Sequence, residues 1–134
     1  NNLLTTFLCS KAFIPAMREN RFGRIVNFSS IVGFSGIAGA SHYAAAKAGL
    51  VGFTKSLALE LAGRGITANA IALGYFDTGL INSVSETMQI EIRSRIPVGR
   101  FGSLQDVGSA VNYLISAESC FMTGQVVHLN GGQY

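Results

Sequence analysis

Two short apolar segments on either side of one long helical segment set the tightest limit on what this chain can fold into. Arg24–Ser29 (RIVNFS) and Ile66–Leu73 (ITANAIAL) are nearly continuous apolar runs with β-branched residues, the pattern of strands covered on both faces. Between them, Ser41 to about Ala62 reads as a helix closed by the sequence GRG. A strand, a crossover helix and a second strand make a βαβ unit, which implies parallel strands and a right-handed crossover.

The same pattern extends outward. From Leu3 to about Glu19, apolar residues at Leu4, Phe7, Leu8, Ala12, Ile14 and Met17 recur at helical spacing. The Gly- and Ser-rich stretch SSIVGFSGIAGAS after the first strand is expected to be a loop. From Gly74 to about Arg100 the chain is more polar and weakly patterned, and reads as a lid carrying one or two short helices. Ser103 with Asp106 three residues on is a variant capping box, opening a helix with Val107, Val111, Leu114 and Ile115 on one face. QVVHLNGG then reads as a last strand. The fold class is α/β, as half of a doubly wound parallel sheet, with residues 1–134 forming part of a single domain.

Charged residues make up 13% of the chain, against roughly 25% in ordinary soluble domains. Much of the surface is therefore expected to be covered by a further segment or by partner subunits. The start at Asn1-Asn2, with no charged leader, reads as internal to a longer protein. No apolar run approaches the roughly 20 residues of a membrane span, so a soluble protein is expected. Cys9 and Cys120 form no CxxC pair and sit in segments that read as helical or buried. Reduced thiols in a cytoplasmic protein, without metal binding, follow from that usage. The net charge of +3 comes from scattered Lys and Arg, which argues against a nucleic-acid partner and is compatible with an acidic one.

The long helix carries two stripes. Ala45, Gly49, Gly52 and Ser56 form a ridge of small residues where another backbone can approach, and Leu50, Phe53, Leu57 and Leu61 form an apolar stripe. One stripe is expected to face the sheet and the other a neighbouring helix, inside the chain or across a subunit contact.

Chemistry concentrates at the start of that helix, in SHYAAAKAGLVGF. Tyr43 and Lys47 are one helical turn apart, so the phenol and the ammonium project from one face. A cation about 5 Å from a phenolate, at an effective dielectric near 20, favours it by roughly 3 kcal/mol, which makes the phenol a usable acid and base. Ser30, thirteen residues ahead of Tyr43 and just past the first strand, is placed to hold a substrate oxygen. Together they suit a carbonyl reduction, with the hydride supplied from elsewhere. The Tyr-Lys spacing alone says little, because any solvated helix face can satisfy it. His42 and His128 lack a ligand partner in sequence and are not assigned a role.

GRIVNFSS, YAAAKAGLVGFTKSLALELAGRGITANAIA, IPVGRFG and TGQVVHLNGG together resemble the short-chain dehydrogenase/reductase family, and within it the 3-oxoacyl-[acyl-carrier-protein] reductases. The resemblance covers essentially the whole chain and implies the C-terminal half of a Rossmann-like domain, without the first strands and their glycine-rich turn. It implies that Tyr43 is the acid/base, that Lys47 eases its ionisation and grips the nicotinamide ribose, that Ser30 orients the carbonyl, and that Asn2 supports a proton-relay water. As a bare residue, Asn2 is more often a helix cap. LGYFDTG is similar to the family's PGxxxT turn, with Leu73 in place of proline. By that likeness Gly74 permits close approach, while the backbone at Tyr75 and Phe76 and the hydroxyl of Thr78 contact the cofactor. Arg21 and Arg64 fall where these reductases meet an acidic acyl carrier protein; plain surface arginines fit equally well.

The resemblance further implies NADP(H) ahead of NAD(H), an acyl thioester substrate of fatty-acid synthesis and a homotetramer. Acetoacetyl-CoA reductase, or another alcohol or sugar dehydrogenase of the family, is the alternative. A reading of another class is an inactive truncated fragment with a packing role only.

Overall fold

The computed structural model describes residues 2–134, and Asn1 lies outside them. Three parallel strands, β1 (Gly23–Ser30), β2 (Ile66–Leu73) and β3 (Val126–Leu129), form one sheet in the order β1-β2-β3. The register pairs Ser30 with Leu73 and Leu73 with Leu129, so the three strands end level. Their carboxyl ends make one straight edge.

Helix α1 (Asn2–Glu19) precedes β1, and α3 (Ser41–Leu61) crosses from β1 to β2. Side chains alternate along β1, and the hydrogen bonds show which side is which. Asn27 Nδ2 donates to Thr54 Oγ1 at 2.8 Å and Ser29 Oγ donates to the Lys47 carbonyl at 2.8 Å, so these positions face α3. Arg24 has the opposite parity, and its Nε donates to the Ser116 carbonyl at the end of α6 (Leu104–Ile115). Helices α3 and α6 therefore cover opposite faces, and β2 is buried along its length up to Leu73.

Leu50, Thr54, Leu57, Ala58 and Leu61 are the buried face of α3. Leu57, Ala58 and Leu61 pack with Ile66 and Ala68 of β2, and Ile14, Met17, Ile25 and Phe53 close around them. Each such leucine withdrawn from water contributes about 2 kcal/mol. The helix gives way to a 3-10 turn, Ala62–Arg64, followed by Gly65 at φ 75°. A Cβ there would fall 2.3 Å from the Arg21 carbonyl oxygen, so only glycine lets the two turns meet.

Four expectations need correction. The segment after β1 is not wholly loop: Val32–Ser35 forms a one-turn helix, α2, because Gly33 lets it lie on the backbone of α3 at Lys47 and Ala48. The lid has the two short helices expected of it, α4 (Gly79–Asn82) and α5 (Glu86–Ser94), but it also has a core of its own, in which Ile81, Ile96 and Phe101 pack with Val84 and Ile92. On α6 only Leu114 is fully buried, while Ile115 is 46% exposed, since adjacent helical residues point about 100° apart. Cys120 lies in a turn and is exposed, neither helical nor buried, whereas Cys9 lies in α1 and both are free thiols as expected.

The capping box of α6 is present in both directions, Ser103 with the Asp106 backbone and Asp106 with the Ser103 backbone. Along the ridge of α3, Gly49 is covered by Leu3, whereas Ala45, Gly52 and Ser56 remain on the surface. The outer side of α1 is also bare, with Leu4 and Leu8 exposed. Among the described residues, no helix is long and apolar enough to cross a membrane.

Candidate active site

The level carboxyl edge of the sheet brings Ser30, the α3 N-terminus and the turn after β2 to one end of the molecule. Ser30 ends β1, is buried, and its Oγ accepts the Val32 N–H at 3.2 Å. That bond occupies a lone pair and leaves the hydroxyl proton to be donated elsewhere. Tyr43 and Lys47 lie in the first turns of α3, with Lys47 Nζ 5.7 Å from the centroid of the tyrosine ring.

Lys47 Nζ also donates to the Phe28 carbonyl at 2.9 Å, while Ser29 Oγ donates to the Lys47 carbonyl. These two bonds tie the end of β1 to α3 on both sides of Lys47. Desolvation lowers the lysine below its ordinary value, since burial disfavours the charged form. Asn2, the first residue of α1, lines one groove with Lys47, Phe28 and Asn27, and its carbonyl accepts the Thr6 hydroxyl.

Beyond β2, the Gly74 N–H donates to the Leu129 carbonyl at 3.0 Å, and a Cβ on Gly74 would fall 2.9 Å from Asn130. A bridge between Phe76 and Gly102 holds the turn: Gly102 N–H donates to the Tyr75 carbonyl and Asp77 N–H to the Gly102 carbonyl. In that parallel pattern the Phe76 peptide groups point the other way, and the Phe76 carbonyl accepts from Thr78 N–H. The carbonyl of Tyr75 is therefore engaged within the turn. Thr78 caps α4 through its backbone, without a capping bond from its hydroxyl. A pocket beside the turn is walled by Tyr75, Phe76, Val98 and Leu129, with Arg100 and Asp106 also lining it.

This set fits a nicotinamide dinucleotide. The Lys47 ammonium keeps two donors beyond the one given to Phe28, enough for a pair of ribose hydroxyls, and the Phe76 N–H lies on the free edge of its bridge.

Arg21 and Arg64 lie elsewhere. Both are exposed in the turns ahead of β1 and β2, where the Arg21 carbonyl meets Gly65. Seven residue steps separate Gly23 from Ser30, roughly 23 Å at 3.3 Å per residue. Both arginines lie at the sheet's amino edge, away from Ser30. Sequence reasoning missed the Phe28 carbonyl, Ser29 and the Val32 N–H; only the paired serines and Gly33 hint at close packing there.

A family model described as Enoyl-(Acyl carrier protein) reductase matches residues 1–133. Among curated relatives, the 3-oxoacyl-[acyl-carrier-protein] reductase FabG of Salmonella typhimurium is 47% identical over 133 residues, 99% of this chain and 54% of that protein. Its counterparts in Escherichia coli K12 and Vibrio cholerae are 45% and 43% identical over the same shares. The chain spans about half the length of these relatives.

Proposed function

The chain belongs to the short-chain dehydrogenase/reductase family, and from that premise we propose that it is the catalytic, C-terminal half of a doubly wound reductase domain acting on 3-oxoacyl thioesters. The observation that carries the reading is the joining of Tyr43, Lys47 and the end of β1 through the Lys47–Phe28 hydrogen bond. The relatives named for 3-oxoacyl reduction favour that substrate class over the enoyl class in the family model's description.

In this reading, a nicotinamide dinucleotide held by Lys47 and the Gly74 to Thr78 turn would supply the hydride chemistry. Ser30 donates its hydroxyl proton as a hydrogen bond to the carbonyl oxygen, which its bond from Val32 leaves it free to do. Tyr43 passes its phenolic proton to the oxygen as alkoxide charge develops, and Lys47 stabilises the phenolate left behind. Asn2, on the groove shared with Lys47, is placed to hold a water through which that proton is replaced. Gly74, Tyr75, Phe76 and Thr78 are read as the nicotinamide side of the site, where the Tyr75 carbonyl already accepts one hydrogen bond from Gly102.

NADP(H) is taken ahead of NAD(H) on the likeness to the 3-oxoacyl-[acyl-carrier-protein] reductases. Arg21 and Arg64 are read as docking residues for an acyl carrier protein, and the bare ridge of α3 as a subunit contact in a cytoplasmic homotetramer. The full-length protein tests the central claim. Tyr43→Phe should abolish reduction of a 3-oxoacyl thioester while leaving coenzyme affinity unchanged, and near-parental turnover by that variant would sink it.

A further inference from the structure

Helix α2 is gripped on two sides and free on a third. Gly33 lies against the α3 backbone, where a Cβ would come within 2.9 Å of Lys47 and Ala48 backbone atoms. On another side the Phe34 ring lies 4.7 Å from the His128 ring and 5.7 Å from the Tyr134 ring, centroid to centroid. His128 and Tyr134 are themselves stacked, 5.4 Å apart at an interplanar angle of 18°. The chain that follows α2 gives no comparable hold, since Gly36 and Gly39 have positive φ and no heavy atom within 4 Å of a Cβ position.

The cluster is not core packing. Phe34 is 37% exposed and Tyr134 61% exposed, and the three rings come from α2, β3 and the segment after β3. Phe34 is also the one aromatic side chain in the stretch from Ser29 to Ser41, which is otherwise small and aliphatic. Val32 directly precedes the two gripped residues, and its N–H fixes Ser30 Oγ. A shift of α2 would move that donor, and with it the direction of the serine proton.

We propose that Phe34 and Tyr134, which meet each other and His128 in one ring cluster, are positioning residues for Ser30: they pin α2, so that Val32 N–H holds Ser30 Oγ and aims its proton at the substrate carbonyl. The inference rests on the reading of Ser30 as the group that orients the carbonyl. Misplacing a catalytic contact by about 1 Å can cost on the order of a hundredfold in rate, so loosening α2 should be visible in kcat.

The test uses the full-length protein with an acetoacetyl thioester. Tyr134→Ala and Phe34→Ala should each lower kcat by roughly tenfold without changing the coenzyme Kd read by fluorescence titration, and Tyr134→Phe should restore it. Placed on Ser30→Ala, Tyr134→Ala should cost nothing further, because the clamp acts through the serine. Amide exchange read by mass spectrometry should quicken in Val32–Ser35 for Tyr134→Ala and not for Tyr134→Phe. Unchanged kcat, an equal loss on the Ser30→Ala background, or unaltered exchange in Val32–Ser35 would each overturn the clamp. None of these touches the reductase reading, which stands or falls with Tyr43→Phe.

Discussion

Lys47 and Phe28 are joined by a hydrogen bond from ammonium to carbonyl oxygen at 2.9 Å, two residues before Ser30 and on the side of α3 that carries Tyr43. This one contact holds the cation between the tyrosine ring and the strand end.

A pH dependence follows. Desolvation lowers the Lys47 ionisation below that of an ordinary lysine. As pH rises through the lowered value the cation is lost, and support for the phenolate goes with it. On the proposed mechanism, the full-length protein should therefore lose kcat/KM on the alkaline side earlier than a solvent-exposed lysine would dictate. Lys47→Arg should be slower but lack that limb, because a guanidinium stays charged. An alkaline limb unchanged in Lys47→Arg would assign it to another group.

The arginines at the amino edge make a separate prediction. With Arg21 and Arg64 both exposed in the turns at that edge, reversing both to Glu should raise KM for a carrier-protein-linked substrate by roughly tenfold, as expected for rim charges that steer encounter. KM for a small thioester should not move. Equal effects on both substrates would remove the docking role.

Gly52 separates assembly from folding. A Cβ there meets nothing within 4 Å, so Gly52→Leu should leave the circular dichroism spectrum of the chain intact. If the ridge of α3 is a subunit contact, the same change should weaken assembly by about 1 to 3 kcal/mol through overpacking, visible by light scattering. Gly49 is the contrast, since its Cβ would fall 3.0 Å from Leu3 and a bulky residue there should disturb the fold itself.

At the start of α6, Ser103→Ala removes the acceptor of the Asp106 N–H and should cost about 1 kcal/mol, read as a lower Tm. Hydrogen bonds from Arg100 and from Ser103 hold the Asp106 carboxyl well below the usual carboxylate range. Its contribution is complete above that range and lost only as pH falls through the depressed value. Stability of Asp106→Asn and of the parent should therefore differ at neutral pH and converge only in strong acid.

The sequence alone determined the βαβ unit, the capping box at Ser103 and the pairing of Tyr43 with Lys47 on one helix face. These are set by periodicities of two and 3.6 and by hydrogen bonds between residues three or four apart, so local reading reaches them. It did not reach α2, the separate core of the lid, the commitment of the Tyr75 carbonyl to Gly102, or the placement of Arg21 and Arg64 away from Ser30. The Phe34, His128 and Tyr134 rings lie 94 and 6 residues apart along the chain, and nothing in their spacing announces a ring cluster. Each of those features depends on which strands lie side by side and how far each runs, and that is decided only when the level register of β1, β2 and β3 brings distant turns to the same edge.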